Sequence, residues 1–68
     1  MTPADLIALR TLLGLTQDQF AQALGLTSRI TIARYEAGTH PMPEAHARLV
    51  REAIILQAHR LLEALRRL

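Results

Sequence analysis

The chain has no cysteine, so neither a disulfide framework nor a thiolate metal site is open to it. It has no lysine, and all eight basic residues are arginine. Aromatics are scarce, with Phe20 and Tyr35 alone. Runs of β-branched residues are missing, and Leu, Ile and Ala dominate an apolar half, which favours an all-α fold. No apolar run approaches the length of a membrane span. No cleavable signal pattern opens the chain. The expectation is a soluble, cytoplasmic protein without a membrane partner. Large charge excess is also lacking, since the net charge is only +2. Up to Gly38, Arg10, Arg29 and Arg34 balance Asp5, Asp18 and Glu36. The charge therefore permits nucleic-acid binding without arguing for it.

Sixty-eight residues make at most one domain with a thin core, which often gains stability by dimerising. "TPADLIALRTLLG" predicts a first helix, capped by Thr2, with Pro3 in its first turn and Asp5 at its positive end. Leu6, Leu9 and Leu13 recur on one face, and Gly14 suits the left-handed stop. "LTQDQFAQALG" repeats this grammar. Thr16 and Gln19 form a capping box, Phe20, Ala21 and Leu24 the buried stripe, and Gly25 the stop. Thr27 or Ser28 caps a third helix that ends at Gly38. A proline-bracketed loop, "THPMP", follows. Beyond Pro43 nothing forces a break, so one long helix or two closely joined ones both fit.

The segment 43–68 carries two apolar stripes at 100° per residue. Leu49, Ala53 and Leu56 form the first, which is expected to pack on the short helices. Val50, Ile54, Ala58, Leu61, Leu65 and Leu68 form the second. It outlasts anything the first 40 residues can cover, so it is expected to be the dimer interface of a homodimer. The alternative is a bend near Gln57 that folds the end back on one monomer.

A short helix, a glycine, a tight turn and a second helix make a helix-turn-helix. Ala21 is small enough for close approach, and the second helix is held out as a rod that fits the DNA major groove. At these residues, "LRTLLGLTQDQFAQALGL…TIARYEAG", the chain resembles the Xre/Cro type of lambda-repressor-like DNA-binding domain, from about residue 4 to residue 55. The resemblance implies a compact four- to five-helix bundle and repression by dimers on inverted-repeat operators in double-stranded DNA. It implies that Gln17 grips a phosphate beside a helix N-terminus, with Thr16 next to it, and that Arg10 and Glu36 form a structural ion pair.

One feature departs from the usual family spacing: a residue is added between Leu26 and Ile32. It either lengthens the turn or extends the start of the reading helix. With Ile32 and Tyr35 facing the core, Ile30 and Arg34 point away from it. The family's base-reading positions, shifted by one, fall on Ser28, Arg29, Ile30 and Arg34. Arginine can fork onto guanine, and isoleucine can pack on a thymine methyl. Thr27, Thr31, Thr39 and His40 are expected to touch the DNA backbone. His40, His46 and His59 lack metal-site spacing and read as surface histidines. No cofactor, small-molecule ligand or enzymatic activity is expected, because no nucleophile–base pair can be assembled by spacing. The expected function is a sequence-specific, homodimeric autorepressor. Such minimal regulators are typical of phages and mobile elements, including those resembling anti-CRISPR-associated autorepressors. The rival readings are the antitoxin of a toxin–antitoxin pair and a protein-interaction bundle that does not bind DNA.

Overall fold

A computed structural model describes all 68 residues. Four helices follow one another, α1 (Pro3–Leu12), α2 (Gln17–Ala23), α3 (Arg29–Ala37) and α4 (Glu44–Arg66), with no strand. The starts of α1 and α2 are set by their caps. The Thr2 hydroxyl accepts from the Asp5 N–H and the Asp5 carboxylate from the Thr2 N–H, both at 3.1 Å. Thr16 and Gln19 exchange the same pair of bonds at 3.1 and 3.0 Å. Each box satisfies N–H groups that a helix start otherwise leaves unpaired.

One small core joins the helices. Leu6 of α1, Phe20, Ala21 and Leu24 at α2, Ile32 and Tyr35 of α3 and Val50 of α4 are buried together. Leu9 and Leu13 are partly buried against the same cluster. Only one further residue, Ala47, is buried. Every buried side-chain polar atom has a partner, so the thin core carries no desolvation debt from unpaired groups.

α4 is a single 23-residue helix, about 35 Å long. Nothing in its sequence interrupts it, and the structure contains no bend that would add a fifth helix. Its first half lies on the core and its second half leaves it. All eleven residues from Ala58 to Leu68 are exposed. The molecule measures 43 × 19 × 18 Å, with a radius of gyration of 12.7 Å. That exceeds the roughly 11 Å of a compact globule of this length. The body is compact, and α4 forms an arm projecting from it.

The phase of α4 corrects the expected split between its two stripes. Val50 was expected in the dimer interface, but it is fully buried in its own subunit's core and has no surface to offer a partner. Ile54 is partly buried against the same core. Of the stripe expected to pack on the short helices, Ala53 does pack against the core, while Leu49 and Leu56 face the α1–α2 side across an open groove and stay 37% and 52% exposed. Ala47, 3% exposed, lies on the same side of α4 as Val50 and Ile54. Ala58, Leu61, Leu65 and Leu68 continue the stripe past the body.

Candidate nucleic-acid interface

The turn that presents α3 runs from Leu24 to Ser28. Gly25 takes φ +73° with nothing near its missing Cβ, so glycine is needed there for backbone conformation and not for space. Ser28 is the N-cap of α3, and its hydroxyl accepts from the Ile30 N–H at 3.1 Å. The added residue therefore lies in the turn, and α3 starts at Arg29 without an extra leading residue. Thr27 stands exposed just before the cap.

Four interactions hold α3 in place. Ile32 and Tyr35 pack into the core. Gly38 closes the helix in the left-handed conformation, at φ +76°. Glu36 is clamped from two sides. Arg10 Nε and Nη2 donate to its two oxygens at 2.6 and 3.1 Å, a bidentate fork from α1. Gln17 Nε2 donates to Glu36 Oε1 at 3.1 Å from α2. Arg10 Nη1 also donates to the Leu15 carbonyl at 2.9 Å. One network thus ties both helix-turn-helix elements to α1. Burial alone would push the Glu36 carboxyl up. Hydrogen bonds from Arg10 and Gln17, with the Arg10 charge, outweigh it and hold the group below the usual carboxylate range. The Glu36 hydrogen bond raises Arg10 in turn.

A fourth tie was not legible as such in the sequence. The Tyr35 hydroxyl lies 2.7 Å from His46 Nδ1, with the ring centroids 5.8 Å apart. His46 is half-buried, which corrects its reading as a surface histidine. The available signal was Tyr35 itself, since a buried tyrosine needs a partner for its hydroxyl.

What α3 leaves outward is Arg29, Ile30 and Arg34. All three are exposed, Ile30 by 52%. Thr31 and Ala33 are half-exposed beside them. With Ser28 as N-cap, the four expected base-contacting residues are the N-cap and the first, second and sixth positions of the helix. This is the N-terminal part of a reading helix, which faces base edges when the helix lies in the groove. Neither Arg29 nor Arg34 forms an ion pair within the chain, unlike Arg10, Arg51 and Arg66.

The expected backbone contacts are placed unequally. Thr16 spends its hydroxyl acceptor on the α2 cap. Gln17 gives one amide hydrogen to Glu36, which leaves the second for a phosphate. At α2's first turn the backbone N–H groups of Gln17 and Asp18 precede the first intrahelical bond, that of Phe20 to Thr16. The Thr39 hydroxyl donates to the Arg34 carbonyl at 3.2 Å, so it cannot give that proton to a phosphate. It helps cap α3 instead. His40 Nδ1 lies 3.2 Å from the Thr39 oxygen. His40 stands exposed in the loop after α3, next to that cap. No three His, Asp or Glu side chains converge as a metal site.

Two short helices at a glycine turn, with the second held at its buried face and open at its other, define a helix-turn-helix DNA-binding fold. Residues 6–51 match the model of the Helix-turn-helix family, and the chain belongs to that family, whose Xre/Cro-like members it resembled by motif. It is accordingly a DNA-binding regulator. No curated protein and no solved structure matches the chain. No helix is long and apolar enough to cross a membrane.

Proposed function

We propose that the protein is a sequence-specific repressor that acts as a homodimer on an inverted-repeat operator and represses its own gene. The observation that carries this reading is the outward face of α3. Arg29, Ile30 and Arg34 stand exposed on a helix whose other side is fixed by Ile32, Tyr35 and Glu36. A rigid helix tipped with unpaired arginines and one isoleucine suits guanine and thymine edges in the major groove. Gln17 and the α2 start would supply a sequence-independent phosphate contact that fixes the register.

The dimer part of the reading is supported by the arm. Leu61, Leu62, Leu65 and Leu68 are 55–100% exposed on one helix, and a second subunit is a natural cover for them. Two recognition helices related by a two-fold axis would read half-sites about 34 Å apart. The family is consistent with a phage or mobile-element regulator, and a DNA partner suits a cytoplasmic location.

Binding to the DNA upstream of its own gene, measured at two salt concentrations, tests this reading. A specific operator binder shows affinity of the order of 10⁻⁸ M or tighter, weakening steeply as salt rises. Equal affinity for this DNA and for unrelated DNA would sink the repressor reading.

A further inference from the structure

Where α4 leaves the body, a groove of about 400 Å³ opens between the arm and the end of the bundle. Its floor and walls include Leu13, Leu15 and Ala23 from the α1–α2 side and Leu49, Leu56 and Arg60 from α4. Groove and arm lie on the same molecule, and each is an apolar surface that nothing in the monomer covers. We propose that each fills the other across a two-fold axis: the arm of a second copy lies antiparallel to α4 and seats Leu65 and Leu68 in this groove, while the groove of that copy receives the same residues in return. The inference rests on the homodimer reading above and says where the partner sits.

Three observations favour this occupant. The first is phase. The stripe Ala58, Leu61, Leu65 and Leu68 continues the α4 side that holds Val50 and Ile54 in the core. A partner's arm therefore takes up where the body stops, and its far end meets the groove. The second is area. The nine helical residues from Ala58 to Arg66 span about 14 Å and show half of an 11 Å cylinder, on the order of 240 Å², to a partner helix. That falls short of the roughly 800 Å² each side of a stable interface buries. Pairing of arms alone is too small, and the groove supplies the kind of surface that is missing. Ile55 and Leu62, 58% and 55% exposed, also make the stripe wider than a two-helix seam covers. The third is spacing. With Leu68 of one copy opposite Gln57 of the other, the two Val50 positions lie about 38 Å apart along the shared axis. The two bodies then sit on the scale of one DNA turn apart, roughly 34–36 Å between half-sites, with the separation of the α3 helices set by how each body sits on its own α4. Arms joined end to end would separate the bodies much further.

The arrangement has a consequence for DNA binding. Leu15 lies just before α2, the helix that carries Gln17, and Ala23 is its last residue. A partner's arm seated there braces the helix-turn-helix itself, so association and DNA contact share one wall.

The absence of cysteine makes cross-linking a clean test. A chain carrying Ala23→Cys is mixed with a chain carrying Leu68→Cys and oxidised mildly. The expected product is the mixed covalent dimer, formed in preference to either self-pair. Sedimentation of Ala23→Glu, an exposed site on α2 that can take the charge without unfolding, should show dimer dissociation at least tenfold weaker, with helix content unchanged. Pairs of Leu68→Cys chains alone, or an Ala23→Glu dimer as tight as the parent, would overturn the groove while leaving an arm-only dimer standing. Leu61→Glu, on the stripe that both arrangements use, should abolish the dimer, and a Leu61→Glu dimer as tight as the parent would overturn both. A parent protein that sediments as a monomer at all concentrations overturns both.

Discussion

Replacing Glu36 by alanine removes the acceptor shared by Arg10 and Gln17 and leaves a guanidinium without its charge partner. The Glu36 side chain is 6% exposed and that of Arg10 20%, so the pair is largely, though not wholly, out of water. Breaking a fully buried pair by deleting one member costs about 3–5 kcal/mol. Arg10 keeps its bond to the Leu15 carbonyl and reaches some solvent, which reduces the expected loss to about 2–3 kcal/mol. A domain of this size holds roughly 3–10 kcal/mol in total, so the variant forfeits a large part of its stability. At about 4–8 °C per kcal/mol for a small domain, Tm should fall by about 10–20 °C. Thermal unfolding followed by circular dichroism at one fixed protein concentration measures this; concentration is held constant because association shifts apparent stability. The double variant Arg10→Met, Glu36→Leu should recover most of the loss, because a well-packed apolar pair can match a buried ionic one. The pH dependence follows from the lowered carboxyl of Glu36. Its stabilisation is fully present above the ordinary carboxyl value of 4.5 and is lost as pH falls through the lower folded-state value. A Glu36→Ala loss below about 0.5 kcal/mol, the scale of an exposed pair, would refute the view that this network anchors α3.

Arg34→Ala should flatten base preference at one operator position and weaken the best site by about 1–3 kcal/mol, read by competition binding against single-base variants. Gln17→Ala should instead weaken all sequences alike and lower the salt slope. Tyr35→Phe removes the hydroxyl that meets His46 and should cost about 1 kcal/mol in a denaturant titration. Val50→Ala should cost about 2 kcal/mol by opening a core cavity, with little change in m-value. Leu61→Ala, on the exposed arm, should barely change the stability of a dilute monomer.

Much of this was legible in the sequence because local chemistry decides it. Thr2, Thr16 and Ser28 cap helices through their own side chains, and the apolar positions of α1 to α3 repeat at helical spacing around one core. The added residue could not be placed from spacing alone. Either a longer turn or a longer helix preserves the Ile32–Tyr35 pair, and only the Ser28 cap geometry decides for the turn. The phase of α4 was not legible for a different reason. Leu49–Ala53–Leu56 and Val50–Ile54 are equally apolar, and the core takes residues from both, Val50 and Ile54 from one and Ala53 from the other. The ties of Gln17 to Glu36 and of Tyr35 to His46 join residues 19 and 11 positions apart, so tertiary placement had to bring them together. The outward residues of α3 followed from the inward ones, which is why Arg29, Ile30 and Arg34 could be named without coordinates.

The central claim is that the open face of α3 reads DNA sequence. Selection of bound duplexes from a random pool at physiological salt tests it most directly. The expected result is enrichment of an inverted repeat whose half-sites lie one helical turn, or a multiple of it, apart, with base preference lost at one position per half-site in Arg34→Ala. A folded protein that retains DNA without enriching any sequence would contradict it.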